Sequence, residues 1–140
     1  MGKYPGKVLV LEPRRIAARS LAARVASEDG SALGGRIGYQ VRFDSRCGKD
    51  TAVVFQTYGV FIQQLLKSPD LPGVGAVVLD EFHERTLECD LALAWLKALR
   101  AKRRPELKLA VMSATLDAGA LAAYLPEAAR LDVPGRLFPV

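Results

Sequence analysis

Apolar residues fall in short runs that alternate with stretches of helical period. Val8-Leu9-Val10-Leu11 is such a run, ended by Glu12-Pro13, and it has the character of a buried strand. Pro13 suits the first turn of a helix. Ile16, Ala17, Leu21 and Val25 then recur at helical spacing, and Gly30 stands where that helix would stop. Residues 38–43 alternate like a half-exposed strand suited to a sheet edge, and residues 51–55 form another buried-strand pattern. Val60, Phe61, Gln64 and Leu65 mark a helix over 57–67, broken by Ser68-Pro69-Asp70. A strand over 76–80 follows Pro72-Gly73. Residues 87–99 read as a helix with Leu91, Trp95 and Leu99 on its packed face. A strand over 108–112 and a short helix over 118–124, stopped by Pro126, complete the pattern. Strands alternating with helices predict an α/β fold with a mainly parallel sheet covered on both faces.

Length and composition agree with that expectation. The chain has 140 residues, half of them apolar, enough for one domain with a true core. No run approaches the ~18 to 20 apolar residues of a membrane span. The opening residues Met1-Gly2-Lys3-Tyr4-Pro5 lack the apolar centre of a signal peptide. Gly6 occupies the place where a myristoylation signal prefers Ser or Thr. The expectation is a soluble, cytoplasmic chain with no membrane partner. Cys47 and Cys89 are isolated in sequence and the chain has one histidine, so no zinc site is written here and reduced thiols are expected.

Charge adds a candidate partner. The net charge of +5 permits a polyanion. Arg14, Arg15, Arg19 and Arg24 crowd one helix from the point where a strand ends, whereas Lys97, Arg100, Lys102, Arg103 and Arg104 read as an ordinary solvated helix end.

The densest chemistry lies in Val77-Val78-Leu79-Asp80-Glu81-Phe82-His83-Glu84-Arg85. An apolar run ending in two acids places Asp80 and Glu81 at the carboxyl end of a strand, where open α/β sheets hold their ligands. In nucleotide hydrolases a carboxylate there serves magnesium and a neighbouring acid orients water. Taken alone, the pair is equally a strand followed by a polar turn.

The neighbouring motifs separate these readings. Asp80-Glu81-Phe82-His83-Glu84-Arg85 resembles motif II of the DEAH-box helicases, and Ser113-Ala114-Thr115 resembles their motif III. Glu12-Pro13-Arg14-Arg15-Ile16-Ala17-Ala18 resembles motif Ia, and Thr57-Tyr58-Gly59 resembles motif Ib, with Tyr58 in place of the usual acid. The Glu-Pro-Arg-Arg form, the segment over 38–45 and Phe82 are most similar to the HrpB-type branch. The four motifs stand in the family's order over nearly the whole chain. No Gly-x-x-x-x-Gly-Lys-Ser/Thr phosphate loop occurs in these residues: Lys7 is followed by Val8 and Lys49 by Asp50.

The resemblance implies a three-layer αβα RecA-like (P-loop NTPase) domain, incomplete at its N-terminal end, with residues 1–140 as one partial ATP-binding domain. It implies ATP and Mg²⁺ as cofactors of an intact parent, and none held tightly by these residues alone. Asp80 would hold the magnesium through water, Glu81 would orient and deprotonate the attacking water, and His83 would couple the nucleotide site to motif III and to a second RecA-like domain. Ser113 and Thr115 would relay nucleotide state, or cap the helix that follows. Arg14, Arg15 and Thr57 would grip the backbone of a single strand of RNA, or of DNA, without reading its sequence. The alternative is a non-catalytic nucleic-acid-binding or scaffold module derived from such a half-domain. Without a neighbouring phosphate-loop strand, the strand over 108–112 would keep an unpaired edge open to self-association.

Overall fold

The computed structural model describes residues 6–114, 121, 123–126, 128 and 129. Its strands are β1 (Lys7–Glu12), β2 (Ile37–Val41), β3 (Asp44–Arg46), β4 (Val53–Thr57), β5 (Val74–Leu79) and β6 (Lys108–Val111). Its helices are α1 (Arg15–Asp29), α2 (Tyr58–Lys67) and α3 (Leu87–Lys102), with a 3₁₀ turn at Phe82–Glu84. The sheet order is β3-β2-β4-β1-β5-β6. All its pairings are parallel except that of β2 with β3. Parallel pairing turns the carboxyl ends of β2, β4, β1, β5 and β6 to one edge, which is the geometric condition for a site at that edge.

Side-chain alternation distributes the core over both faces of the sheet. Leu9, Leu11, Val54, Val77 and Leu79 pack against Phe61 and Leu65 of α2 and against Ala92, Leu93, Leu96 and Leu99 of α3. On the other face Phe55, Tyr39, Ile37 and Val41 meet Ala18, Ala22 and Ala26 of α1. That contact departs from the expected helix face. The stripe turned fully to the sheet is alanine, which lets α1 approach the strands closely; Leu21 and Val25 flank it, and Ile16 is 77% exposed. On α3 the buried face is likewise Cys89, Ala92, Leu93, Leu96 and Leu99, while Leu91 is exposed and Trp95 half-buried.

Element ends also moved. Pro13 precedes the cap of α1, which is Arg14 in an extended conformation. Gly30 ends α1 in the left-handed region at φ 76°, as a C-terminal glycine should. The segment over 38–43 is not an edge strand. β2 stops at Val41, turns at Arg42-Phe43, and returns as the short antiparallel β3, which takes the edge itself. Tyr39 and Arg19 hold the returning strand through Asp44, at 2.9 and 3.4 Å. A side chain at Gly38 would meet the Arg46 carbonyl oxygen at 2.2 Å, so the hairpin closes only over glycine. β4 runs two residues later than its sequence pattern, and Thr57 is both its last residue and the cap of α2. β6 ends at Val111 and stands at the other edge of the sheet among the described residues. Of the expected helix over 118–124, only 121, 123 and 124 fall within them.

The basic cluster at the end of α3 is more than a solvated surface. Arg104 donates to the carbonyl oxygens of Leu71 (2.6 Å) and Val74 (2.7 Å) and pairs with Glu106 at 2.8 Å. It ties the end of α3 to the turn before β5, and only its neighbour Arg103, paired with Asp70 at 2.9 Å, is an exposed ion pair.

Candidate functional site

At the carboxyl edge, neighbouring strands end on Thr57, Glu12, Leu79 and Val111. Glu12 is the Cα partner of Thr57, and Leu11 is that of Leu79. Pairing continues past the strand ends, because the Asp80 N–H donates to Leu11 (3.0 Å), Met112 N–H to Leu79 (2.8 Å) and Phe82 N–H to Met112 (3.0 Å). The turn carrying the two acids is thereby clamped between the ends of β1 and β6.

Within that turn Glu81 takes a left-handed conformation at φ 56°, uncommon for a side chain of its size. Its N–H donates to Asp80 Oδ1 at 2.9 Å, and the Asp80 carbonyl accepts from the Tyr58 hydroxyl at 2.8 Å. His83 bridges outward. Its Nδ1 accepts from the Ala114 N–H at 3.2 Å, which places the ring proton of the neutral form on Nε2, and Nε2 lies 3.4 Å from Glu81 Oε2. One imidazole therefore joins the acid pair to the Ser113-Ala114 segment. Ser113 Oγ is buried with no partner among the described residues, and Thr115 lies outside them.

Glu12 is the residue that the sequence reading passed over. It ends an apolar strand just as Asp80 does, and that shared pattern was the available signal. Its side chain is 1% exposed. Burial, then a hydrogen bond to the Asp80 carboxylate and the charges of Asp80 and Glu81, pushes its carboxyl up to about 9, so near neutrality it is a protonated acid. Its Oε2 has no partner. Tyr58 was the other open position. It is 3% exposed, and its hydroxyl is held protonated chiefly by burial, with the Cys89 thiol in hydrogen-bonding reach. A buried ring is packing and strut together, and it has no free face for a nucleic-acid base.

Among the described residues no group of three or more His, Cys, Asp or Glu is arranged to hold a metal ion. The oxygen donors nevertheless fit Mg²⁺, which takes one or two carboxylates and completes its shell from phosphate and water. Asp80 and Glu81 are partly exposed at the edge, while Glu12 beside them remains protonated and is no ligand.

The basic residues divide. Arg14 is exposed and its Nη2 pairs with Glu84 Oε1 at 2.5 Å, joining the start of α1 to the acid-bearing turn across 70 positions of sequence. Arg15 is exposed in the first turn of α1. Thr57 is half-buried, with Oγ1 accepting the Val60 N–H at 3.4 Å. Arg85 points away from the edge contacts, pairing with Asp90 at 2.8 Å and lying over the Phe82 ring. Arg14, Glu12, Asp80, Glu81, His83 and Ser113 thus come from three separate stretches of sequence to one edge.

No family model matches the chain. Individual proteins do. The chain is 46% identical over 96% of its length to the ATP-dependent RNA helicase HrpB of Escherichia coli strain K12, covering 17% of that protein. It is 42% identical over 96% of its length to the human probable ATP-dependent RNA helicase DHX40, covering 18% of that one. A crystal structure of the E. coli DExH-box NTPase HrpB superposes with a TM-score of 0.90 at 45% identity, over 98% of this chain and 17% of the other. The chain therefore spans about one sixth of the length of the curated relatives that it matches. By sequence and by its mostly parallel RecA-like fold, the chain is homologous to one segment of the HrpB and DHX40 ATP-dependent RNA helicases.

Proposed function

We propose that these residues are part of the first RecA-like domain of an ATP-dependent RNA helicase, in which ATP hydrolysis drives movement along a single strand. The observation that carries this reading is the single edge on which the acid pair, His83, Ser113 and Arg14 meet, in a fold shared with helicases at 42–46% identity. Bound Mg²⁺ and ATP would supply the phosphoryl group and its charge neutralisation. Asp80 offers the metal a carboxylate that is already oriented by the Glu81 N–H. Glu81 offers the base for the attacking water. His83, with its Nε2 proton toward Glu81 and its Nδ1 on Ala114, passes a change at the acid pair to the segment after β6, where Ser113 and Thr115 relay it toward a second RecA-like domain.

Arg14 and Arg15 bind the phosphates of the strand, with Thr57 as a neighbouring contact. Arg14 reaches the acid turn through Glu84, so nucleic acid and nucleotide would be felt at one ion pair. The phosphate loop is supplied by residues of a longer protein, and its setting is cytoplasmic, which suits the unbridged Cys47 and Cys89. No helix among the described residues is long and apolar enough to cross a membrane.

The test is Glu81→Gln in a full-length protein carrying this segment. ATP binding should persist because Asp80 remains, whereas hydrolysis should fall by ~10² to 10⁴, the usual contribution of a positioned base. Unwinding that survives Glu81→Gln would leave the non-catalytic binding module as the better reading.

A further inference from the structure

We propose that Tyr58 is a positioning residue for hydrolysis, a strut that fixes the peptide between Asp80 and Glu81 and ties it to the start of α2. The proposal rests on the reading of Asp80 and Glu81 as the working acid pair. Three observations carry it. The Tyr58 hydroxyl donates to the Asp80 carbonyl oxygen at 2.8 Å. That carbonyl belongs to the peptide leading into Glu81, the residue held at φ 56°, so the bond restrains the orientation from which the Glu81 side chain departs. Tyr58 is also the first residue of α2, directly after Thr57, the cap of that helix and the proposed strand contact. The ring is 3% exposed, and the hydroxyl is further confined by the Cys89 thiol at the start of α3.

The position of the bond predicts which kinetic constant responds. Asp80 has other restraints: its N–H is held by Leu11, and its carboxylate receives the Glu81 N–H and a hydrogen bond from Glu12. Releasing its carbonyl leaves the metal-facing carboxylate in place. Glu81 has fewer restraints, since its side chain meets only His83 at 3.4 Å among the contacts of the described residues. Loss of the strut should therefore loosen the base more than the metal ligand.

The experiment compares Tyr58→Phe, Tyr58→Leu and Glu81→Gln in a full-length protein carrying this segment, with steady-state ATPase and thermal unfolding measured on each. Phe keeps the ring and deletes only the hydroxyl. The expected result for Tyr58→Phe is a kcat lower by roughly two- to tenfold, the range that one neutral hydrogen bond carries, with KM for ATP changed by less than about twofold. Tyr58→Leu should lose the same turnover and a clearly lower unfolding temperature besides, because it also empties ring volume. Wild-type kcat in Tyr58→Phe, with Glu81→Gln inactive, overturns the strut and leaves the acid pair standing. A raised KM with unchanged kcat also overturns it, since the hydroxyl would then serve nucleotide binding. Full turnover in Glu81→Gln removes the acid-pair reading and this proposal with it.

Discussion

The buried acid at the end of β1 makes the stability of this chain depend on pH in an unusual direction. Glu12 has an ordinary carboxyl value of 4.5 when unfolded and is pushed up to about 9 in the fold, first by burial. Between those values the folded form holds a proton that the unfolded form has released. The stabilisation is therefore complete below about pH 4.5 and is lost as pH rises toward 9. Each unit is equivalent to about 1.4 kcal/mol, so the ceiling over the whole window is roughly 6 kcal/mol. Local relaxation and water entry reduce such penalties, and a fall of about 2 kcal/mol between pH 5 and pH 8 is the expected contribution of this group.

Gln matches the shape of the protonated acid and keeps a donor for Asp80, without a proton to lose. Urea unfolding followed by the fluorescence of Trp95, half-buried on α3, at several pH values between 5 and 8 measures the difference directly. Glu12→Gln should match the wild type near pH 5 and exceed it by about 2 kcal/mol near pH 8. Parallel curves for the two proteins across that range would refute the protonated, buried state of Glu12.

Three further outcomes follow from the same geometry. The 140-residue chain contains no phosphate loop, so phosphate-release assays with magnesium-ATP should show no significant turnover, with or without RNA; robust turnover that vanishes on Glu81→Gln would contradict the division of labour proposed here. Combined Arg14→Ala and Arg15→Ala should weaken binding of single-stranded RNA and flatten its salt dependence in fluorescence anisotropy, whereas Arg24→Ala, which breaks only an exposed pair with Glu28, should change little; the reverse order would misplace the strand. Arg104→Ala should lower stability in chemical unfolding by about 1 to 3 kcal/mol, since it strips buried carbonyls of a charged donor, and an unchanged midpoint would show that water replaces those bonds without loss.

Much of this protein was legible in its sequence. Apolar runs of four to six residues ending in Glu12, Thr57 and Asp80 marked parallel strands, because strands buried on both faces have no polar alternation to hide them. The helices were legible for the same reason, as was the Gly30 stop, where a left-handed residue is needed. The acid pair, His83 and the arginines were legible as types at particular spacings. Other features were decided only when distant segments met. The three-residue β3 carries too little pattern to be read, and it exists because Gly38 lets the hairpin close. Helix faces turned by a residue because alanine fits the sheet more closely than Ile16. Arg104 looked like surface until the turn before β5 supplied its carbonyls. Glu12 and Tyr58 depended on tertiary structure most of all. An acid and a phenol have ordinary chemistry in a sequence, and only the parallel register that brings β1 and α2 against Asp80 buries them, protonates one, and aims the other at the peptide ahead of Glu81.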